Sequence, residues 1–212
     1  MSPAFRGERK RFAFAWGDGT LYFRAPGPKP REGGVEVRRE SRKHMLQRYN
    51  KERQRNLLAR PGAHDFVLVL DNLKPGFNVP KIFRSAEAFG AREVHLVNIG
   101  PFDPAPAKGS FRKVPARFHD DFRPCQDSLR SEGYDLFVLD PGCPDVLGAF
   151  ELPEKSAFVL GNEEFGFSFE PTDYPCLRRL SIPQFGRVQS LNVSIAASIV
   201  MYEYLRQRGT GP

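Results

Sequence analysis

The 212 residues carry a formal charge of +7, with 27% charged residues and a mean hydropathy of −0.46. No apolar run approaches the roughly 20 residues of a membrane span, and the basic N-terminus has no apolar core behind it, so neither a membrane protein nor a secretory leader is expected. Cys125, Cys143 and Cys176 are scattered, odd in number and form no CxxC, which argues against a disulfide framework or a zinc ribbon and for a reduced, cytoplasmic setting.

The charge is uneven. Residues 1–60 hold sixteen Lys/Arg against six Asp/Glu, whereas residues 61–212 hold sixteen against nineteen. A basic arm before a near-neutral body points to an acidic polymer as partner, most often nucleic acid; a merely solvated tail is the blander reading. The break divides the chain into an extension, 1–60, and a domain, 61–212.

Along the extension, Phe12 to Trp16, the turn-prone Gly17-Asp18-Gly19 and Leu21-Tyr22-Phe23 read as a small hairpin. A Pro/Gly-rich linker, Ala25 to Gly34, follows. Val35 to Ala59 reads as a helix with a narrow apolar stripe of Met45, Tyr49 and Leu57, ended by Pro61-Gly62. Its basic residues, among them Arg38, Arg39, Arg42, Lys43, Arg48, Lys51, Arg53 and Arg55, suit either a solvated face or contact with RNA phosphates.

From Phe66 onward apolar strands alternate with helices. Strands are expected at 66–70, 94–97, 136–139, 157–160 and 179–182, and helices at 80–89, 126–131 and 192–207, with 110–124 irregular and basic. Continuous apolar strands between helices imply an α/β fold whose mainly parallel sheet is covered on both faces. Val193, Ala196, Ala197, Val200 and Tyr204 form a packing stripe whose small residues admit another helix closely.

Ligands of such folds bind at loops leaving the carboxyl ends of strands, and three of those loops are rich in glycine and polar residues. The first runs from Asp71 to Asn78, which stands just before Pro80 near a helix N-cap, with Arg84 six residues on. The second is Gly161-Asn162-Glu163-Glu164-Phe165-Gly166; its glycine directly after a strand lets a ligand approach the backbone. Its paired carboxylates have no His or Cys beside them, so no metal is expected there. The third runs from Ile182 to Ser194 into the last helix. No GxGxxG, GxxxxGK[ST] or GxSxG occurs, which argues against dinucleotide, P-loop and α/β-hydrolase sites.

In order and spacing, these loops resemble the three signature motifs of the SpoU/TrmH family of RNA ribose methyltransferases (SPOUT superfamily). The first matches through Asn78, Arg84 and Gly90, the second through Gly161, Glu163 and Gly166, and the third without a break from Ile182 to Ser194. The resemblance covers about Phe66 to Arg206 and leaves the extension unexplained. It implies a trefoil-knotted domain, a homodimer, an RNA substrate (tRNA or rRNA), no metal, and S-adenosyl-L-methionine as methyl donor. The donor would be held at Leu139, Asp140, Leu160, Gly161, Asn162, Gly166, Ile182, Pro183, Gly186, Ser190 and Leu191. Arg84, Asn78, Glu163, Ser190 and Asn192 would form the catalytic pocket, Glu163 orienting Arg84 or its loop. The resemblance implies that Arg84 helps deprotonate the hydroxyl or orients the adjacent phosphate; arginine is a poor base, which favours phosphate positioning and electrostatic support. Two departures stand out: Pro80-Lys81 where the family commonly has small residues, and the bulkier, more acidic Glu164-Phe165. Other readings are a non-catalytic RNA-binding protein of the same fold and a base-directed RNA methyltransferase; the intact Arg84, Ser190 and Asn192 disfavour the first, and Ser190-Leu191-Asn192 the second.

Overall fold

Phe66, Leu68 and Leu70 alternate with Val67 and Val69 along one strand, and all five are fully buried. Side chains of a strand point to opposite faces in turn, so this strand must be covered on both sides. The computed structural model describes residues 14–17, 20–23, 32–162 and 164–209, and up to residue 40 the backbone alone. The chain divides into two units, Met1–Ser41 and Arg42–Pro212.

In the first unit β1 (Phe14–Gly17) pairs antiparallel with β2 (Thr20–Phe23), the expected hairpin. Helix α1 (Glu32–Asn56) starts a few residues before its expected position and crosses into the second unit. It ends at Asn56, because that side chain turns inward: Nδ2 donates to the carbonyls of Phe111 (2.5 Å) and Val114 (2.7 Å), and Oδ1 accepts from the Ala116 N–H (3.0 Å). Of the expected stripe, Tyr49 is buried against Phe102 and Phe111, whereas Leu57, past the helix end, is 84% exposed.

The second unit holds a six-stranded parallel sheet in the order β5-β4-β3-β7-β6-β8. The strands are β3 (His64–Asp71), β4 (Ala91–Val97), β5 (Ala116–His119), β6 (Asp135–Leu139), β7 (Ser156–Leu160) and β8 (Arg178–Leu180). One face packs on α2 (Asn78–Ala88) and α4 (Val193–Arg208), with Phe66, Leu68, Leu70, Phe137 and Phe158 in that core. The other packs on α3 (Phe122–Ser131) through Val67, Val69, Val138 and Val159. The α/β class and parallel sheet are as expected.

One expectation is corrected and another is given its partner. Residues 116–119, read as irregular, form the edge strand β5, with the exposed Arg117 between partly buried neighbours. A charged side chain on an edge strand blunts unwanted pairing and masks the strand pattern. The helix that the small-residue stripe of α4 admits is α2: Ala197, Val200 and Tyr204 are buried in the core shared with it, and Ser198 Oγ donates to Ser85 Oγ (3.0 Å).

The chain runs outward from β3 through β4 to β5, then returns to place β7 on the other side of β3. The order therefore reverses between β3 and β7, the point at which open parallel sheets bind ligands beyond the strand ends. Because the Asn56 amide serves three buried backbone groups, Asn56→Ala should lower stability by about 1–3 kcal/mol, read as a lower urea midpoint with an unchanged m-value.

Candidate active site

Asp71 closes β3 with a side chain of no solvent exposure. Its Oδ1 accepts from Ser168 Oγ (2.7 Å) and its Oδ2 from the Ser168 N–H (2.5 Å). Burial raises its pKa, against the lowering effect of those two bonds. This clamp holds the far end of the loop that leaves β7. Asn162 holds the near end: Nδ2 donates to the Asn72 carbonyl (2.8 Å), Oδ1 accepts from the N–H groups of Glu164 (2.9 Å) and Phe165 (3.2 Å), and its backbone pairs with Gly166. Asn72 and Asn98 both have positive φ, which asparagine tolerates, and their amides join at 3.1 Å. Lys74 pairs with Glu164 and lies over the Phe165 ring, so these bulkier residues tie the first loop to the second.

The chain after β8 is held from both sides. Asp140 N–H donates to the Leu180 carbonyl (3.0 Å), Ser181 N–H to the Asp145 carbonyl (2.8 Å), and Leu147 N–H to the Ser181 carbonyl (2.9 Å). The segment from Asp140 to Leu147 thus leaves one flank of Leu180–Ser181 and rejoins the other. Asp140 pairs with Arg179 and accepts from the Gly142 N–H (2.9 Å). Burial pushes the Asp140 pKa up, but these bonds and the Arg179 charge outweigh it and hold it below the usual carboxylate range.

Between these loops lies a cavity of about 300 Å³ at the carboxyl ends of β6, β7 and β8. That volume is at the lower end of the range for small-molecule sites. Its walls include Leu139, Asp140, Leu160, Gly161, Asn162, Gly166, Ile182, Ser190 and Leu191 from the sequence-expected donor residues. Pro183 and Gly186 are not among the lining residues. Pro141, Phe167, Gln184, Val193 and Ala196 line it without having been expected. Gly161 is required by space: a Cβ there would fall 2.8 Å from Phe167 Cδ1 and 3.0 Å from the Gly166 carbonyl carbon. Gln184 Oε1 is buried with no hydrogen-bond partner among the described residues.

At the lip, Asn192 caps α4, its Oδ1 accepting from the Ser194 N–H (3.0 Å) and hydroxyl (2.6 Å). Its Nδ2 donates to Asn78 Oδ1 (3.2 Å), which joins the first and third loops. Asn78 is the first residue of α2, next to the cap position, Phe77, which makes no side-chain cap bond. Arg84, two turns into α2, is exposed and has no ion pair or hydrogen bond among the described residues. Ser190 is exposed at the cavity. Glu163 lies outside the described residues.

A parallel sheet with a ligand-sized cavity at its carboxyl edge defines an α/β protein of the kind that holds small molecules beyond its strand ends. The chain belongs to the SpoU rRNA methylase family, whose model matches residues 65–202. A tRNA (guanosine(18)-2′-O)-methyltransferase of Thermus thermophilus is 30% identical over 150 residues, 68% of this chain and 76% of that protein. An uncharacterised tRNA/rRNA methyltransferase of Synechocystis is 30% identical over 148 residues, but the match spans 68% of this chain and 38% of that longer protein. The solved SpoU methyltransferase AviRb of Streptomyces viridochromogenes, in complex with AdoMet, is 27% identical with a TM-score of 0.61, covering 71% of this chain and 60% of its own. Among the described residues no helix is long and apolar enough to cross a membrane.

Ser168→Ala should leave one buried Asp71 oxygen unpaired and cost about 1–3 kcal/mol. Losing a bond that lowers the Asp71 pKa raises that pKa further. A raised carboxylate contributes stability below its unfolded pKa and loses it as pH rises through the folded value. The variant's deficit should therefore be largest at neutral pH and shrink on acidification, read from urea midpoints across pH.

Proposed function

We propose that the cavity binds S-adenosyl-L-methionine and that the protein transfers its methyl group to a ribose 2′-hydroxyl of tRNA or rRNA. The observation that carries this is the convergence of the second and third motifs, with the end of β6, on one cavity whose walls include Gly161, where no Cβ fits, and the buried, unpartnered Gln184 Oε1. A close-approach glycine and an unpaired acceptor fit a ligand that presents polar N–H groups and a flat adenine-like body to backbone. When bound, S-adenosylmethionine supplies a sulfonium methyl group open to attack by an oxygen nucleophile.

The protein's own part is positioning. Leu160, Gly161, Ile182 and Leu191 offer the strand-end walls, and Asn162 keeps its loop closed. Asn78 and Asn192 hold α2 against the start of α4, which fixes Arg84 relative to Ser190. Arg84, uncommitted to any described carboxylate, grips the phosphate beside the target ribose and favours negative charge as it develops on the 2′-oxygen. Glu163 orients that arginine or its loop. Holding nucleophile and methyl carbon in line supplies much of the acceleration.

The hydrogen bonding of the Asp140–Leu147 segment to both flanks of Leu180–Ser181 is consistent with the trefoil-threaded chain proposed here. The exposed Phe77, Phe185, Val188, Ile195 and Tyr202 support a second copy as partner, completing a cytoplasmic homodimer. The basic extension, 1–60, supplies RNA affinity through α1.

Arg84→Ala should cut turnover about 100-fold or more while donor binding by calorimetry stays within about threefold; equal loss of both would contradict the assigned role. Gly161→Ala should weaken donor binding about tenfold or more, equivalent to about 1.4 kcal/mol, through the Phe167 clash. Changing Arg38, Arg39, Arg42 and Lys43 together to Ala should weaken RNA binding with donor affinity preserved, and flatten the slope of log affinity against log salt by about 0.9 per lost phosphate contact. Ribose-methylation maps of total RNA with and without this protein test the reaction itself: an unchanged map, or a methylated base in its place, defeats the proposal.

A further inference from the structure

Three chemistry-bearing side chains meet on the α3 face of the sheet, and none lines the cavity. His95 is in β4, His119 closes β5, and Cys125 is on the buried side of α3. The register sets Val97 beside His119 and His95 beside Arg117, which puts both imidazoles on one face of neighbouring parallel strands. Phe122, Cys125, Gln126 and Leu129 form the buried stripe of α3, and that stripe brings the thiol down onto the two rings. His95 Nδ1 lies 3.2 Å from Cys125 Sγ and 3.1 Å from His119 Nε2, and the three atoms lie within 4.8 Å of one another.

We propose that His95 Nδ1, His119 Nε2 and Cys125 Sγ form a site for a divalent transition-metal ion, Zn²⁺ foremost, that fastens the edge strand β5 and helix α3 to β4. Four observations carry it. First, the ligand types are right: imidazole with thiolate selects zinc-like ions over magnesium or calcium. Second, the spacing is right. Bonds of about 2.0–2.1 Å to nitrogen and about 2.3 Å to sulfur in a tetrahedral site leave ligand atoms about 3.3–3.6 Å apart, a few tenths of an ångström beyond the two contacts of His95 Nδ1, while the third pair lies within 4.8 Å.

Third, the orienting shell is in place. His95 Nε2 meets Glu93 Oε1 at 3.0 Å, and Glu93 Oε2 accepts from Arg117 Nε at 2.8 Å. A carboxylate on the far nitrogen of a histidine places the proton there and leaves the near nitrogen's lone pair for a metal, the usual arrangement around ligating histidines. Fourth, His95 Nδ1 then has one lone pair facing both the Cys125 thiol and the His119 nitrogen. One acceptor shared between two neighbours is poorly satisfied by hydrogen bonds alone, and a shared cation satisfies all three atoms at once. His95 and Cys125 are fully buried while His119 is partly open, so an ion has an approach from the β5 edge and solvent can take the fourth position. Binding forms one metal–sulfur and two metal–nitrogen bonds and releases the thiol proton to solvent.

The site is separate from methyl transfer, so its failure and that of the proposed function are distinguishable. The test uses the full chain, stripped with a chelator and dialysed against Zn²⁺, with metal counted by mass spectrometry, and Co²⁺ as a spectroscopic probe. Wild type should retain one Zn²⁺ per chain and show the near-ultraviolet sulfur-to-cobalt charge-transfer band. His119→Ala, at the partly open position, should fold and lose the ion. Cys125→Ser should lose the charge-transfer band, and Glu93→Gln should weaken Zn²⁺ binding about 10–100-fold. No charge-transfer band in wild type, or full Zn²⁺ retention by both His119→Ala and Cys125→Ser, overturns the proposal. Should Cys125→Ser fail to fold, the wild-type cobalt spectrum and His119→Ala decide it alone.

Discussion

A carboxylate removed from water must be bonded on its open sides or lose its charge. Asp71 meets that condition at the end of the central strand by accepting from both the backbone and the hydroxyl of Ser168, 97 residues later. The loop after β7 depends on this closure. It fixes one end of the loop after β7, Asn162 fixes the other, and Phe167, between these two anchors, lies against Gly161. The buried charge is therefore costly in itself and useful through the geometry it enforces.

The third loop is restrained by a different means. Ser181 bonds to Asp145 and Leu147 while Leu180 bonds to Asp140, so the chain leaving β8 is bracketed by the segment that leaves β6. Beyond it, the Asn192–Asn78 amide contact joins the start of α4 to the start of α2 across 114 residues. The helices that carry the first and third motifs are also packed along their length, with Ser85 and Ser198 in contact and Ala197 and Val200 in the shared core. Three loops from distant parts of the sequence thus lose their independence, which lets motifs far apart in the chain act as one site.

The parts legible in the sequence were those with a strong local signal. Apolar runs such as Phe66 to Leu70 and Ala157 to Leu160 announced central strands, and Gly161, Arg84 and the unbroken Ile182–Ser194 stretch announced the loops. What escaped depended on tertiary context. Edge strand β5 is four residues long and carries the exposed Arg117, so its pattern resembles a basic loop. Asn56 carries no sign that its amide will serve three buried backbone groups, and without that knowledge Leu57 reads as part of the helix's apolar stripe. Ser168 was invisible as the partner of Asp71, and Gln184 is an ordinary residue within its motif. His95, His119 and Cys125 follow no ligand spacing; only strand register and the α3 face bring them together.

The two ends of the sheet are held by opposite strategies. At the β7–β6–β8 side the segment after β6 is hydrogen-bonded to both flanks of Leu180–Ser181. At the β4–β5 side the last strand is short, ends in His119, and is attached to the rest mainly through its four-residue ladder, the Asn56 amide and the Glu93–Arg117 ion pair. A single short parallel pairing is a weak anchor. Yet the β4–β5 edge adjoins β3, whose end carries Asp71, and α3 covers the face on which Val67 and Val69 pack. Loosening β5 and α3 would expose the underside of the strand that anchors the cavity. Cross-links at that edge, whether by hydrogen bonds through His95 or by an ion held among the same atoms, stiffen the platform on which the Asp71 clamp rests without touching the cavity.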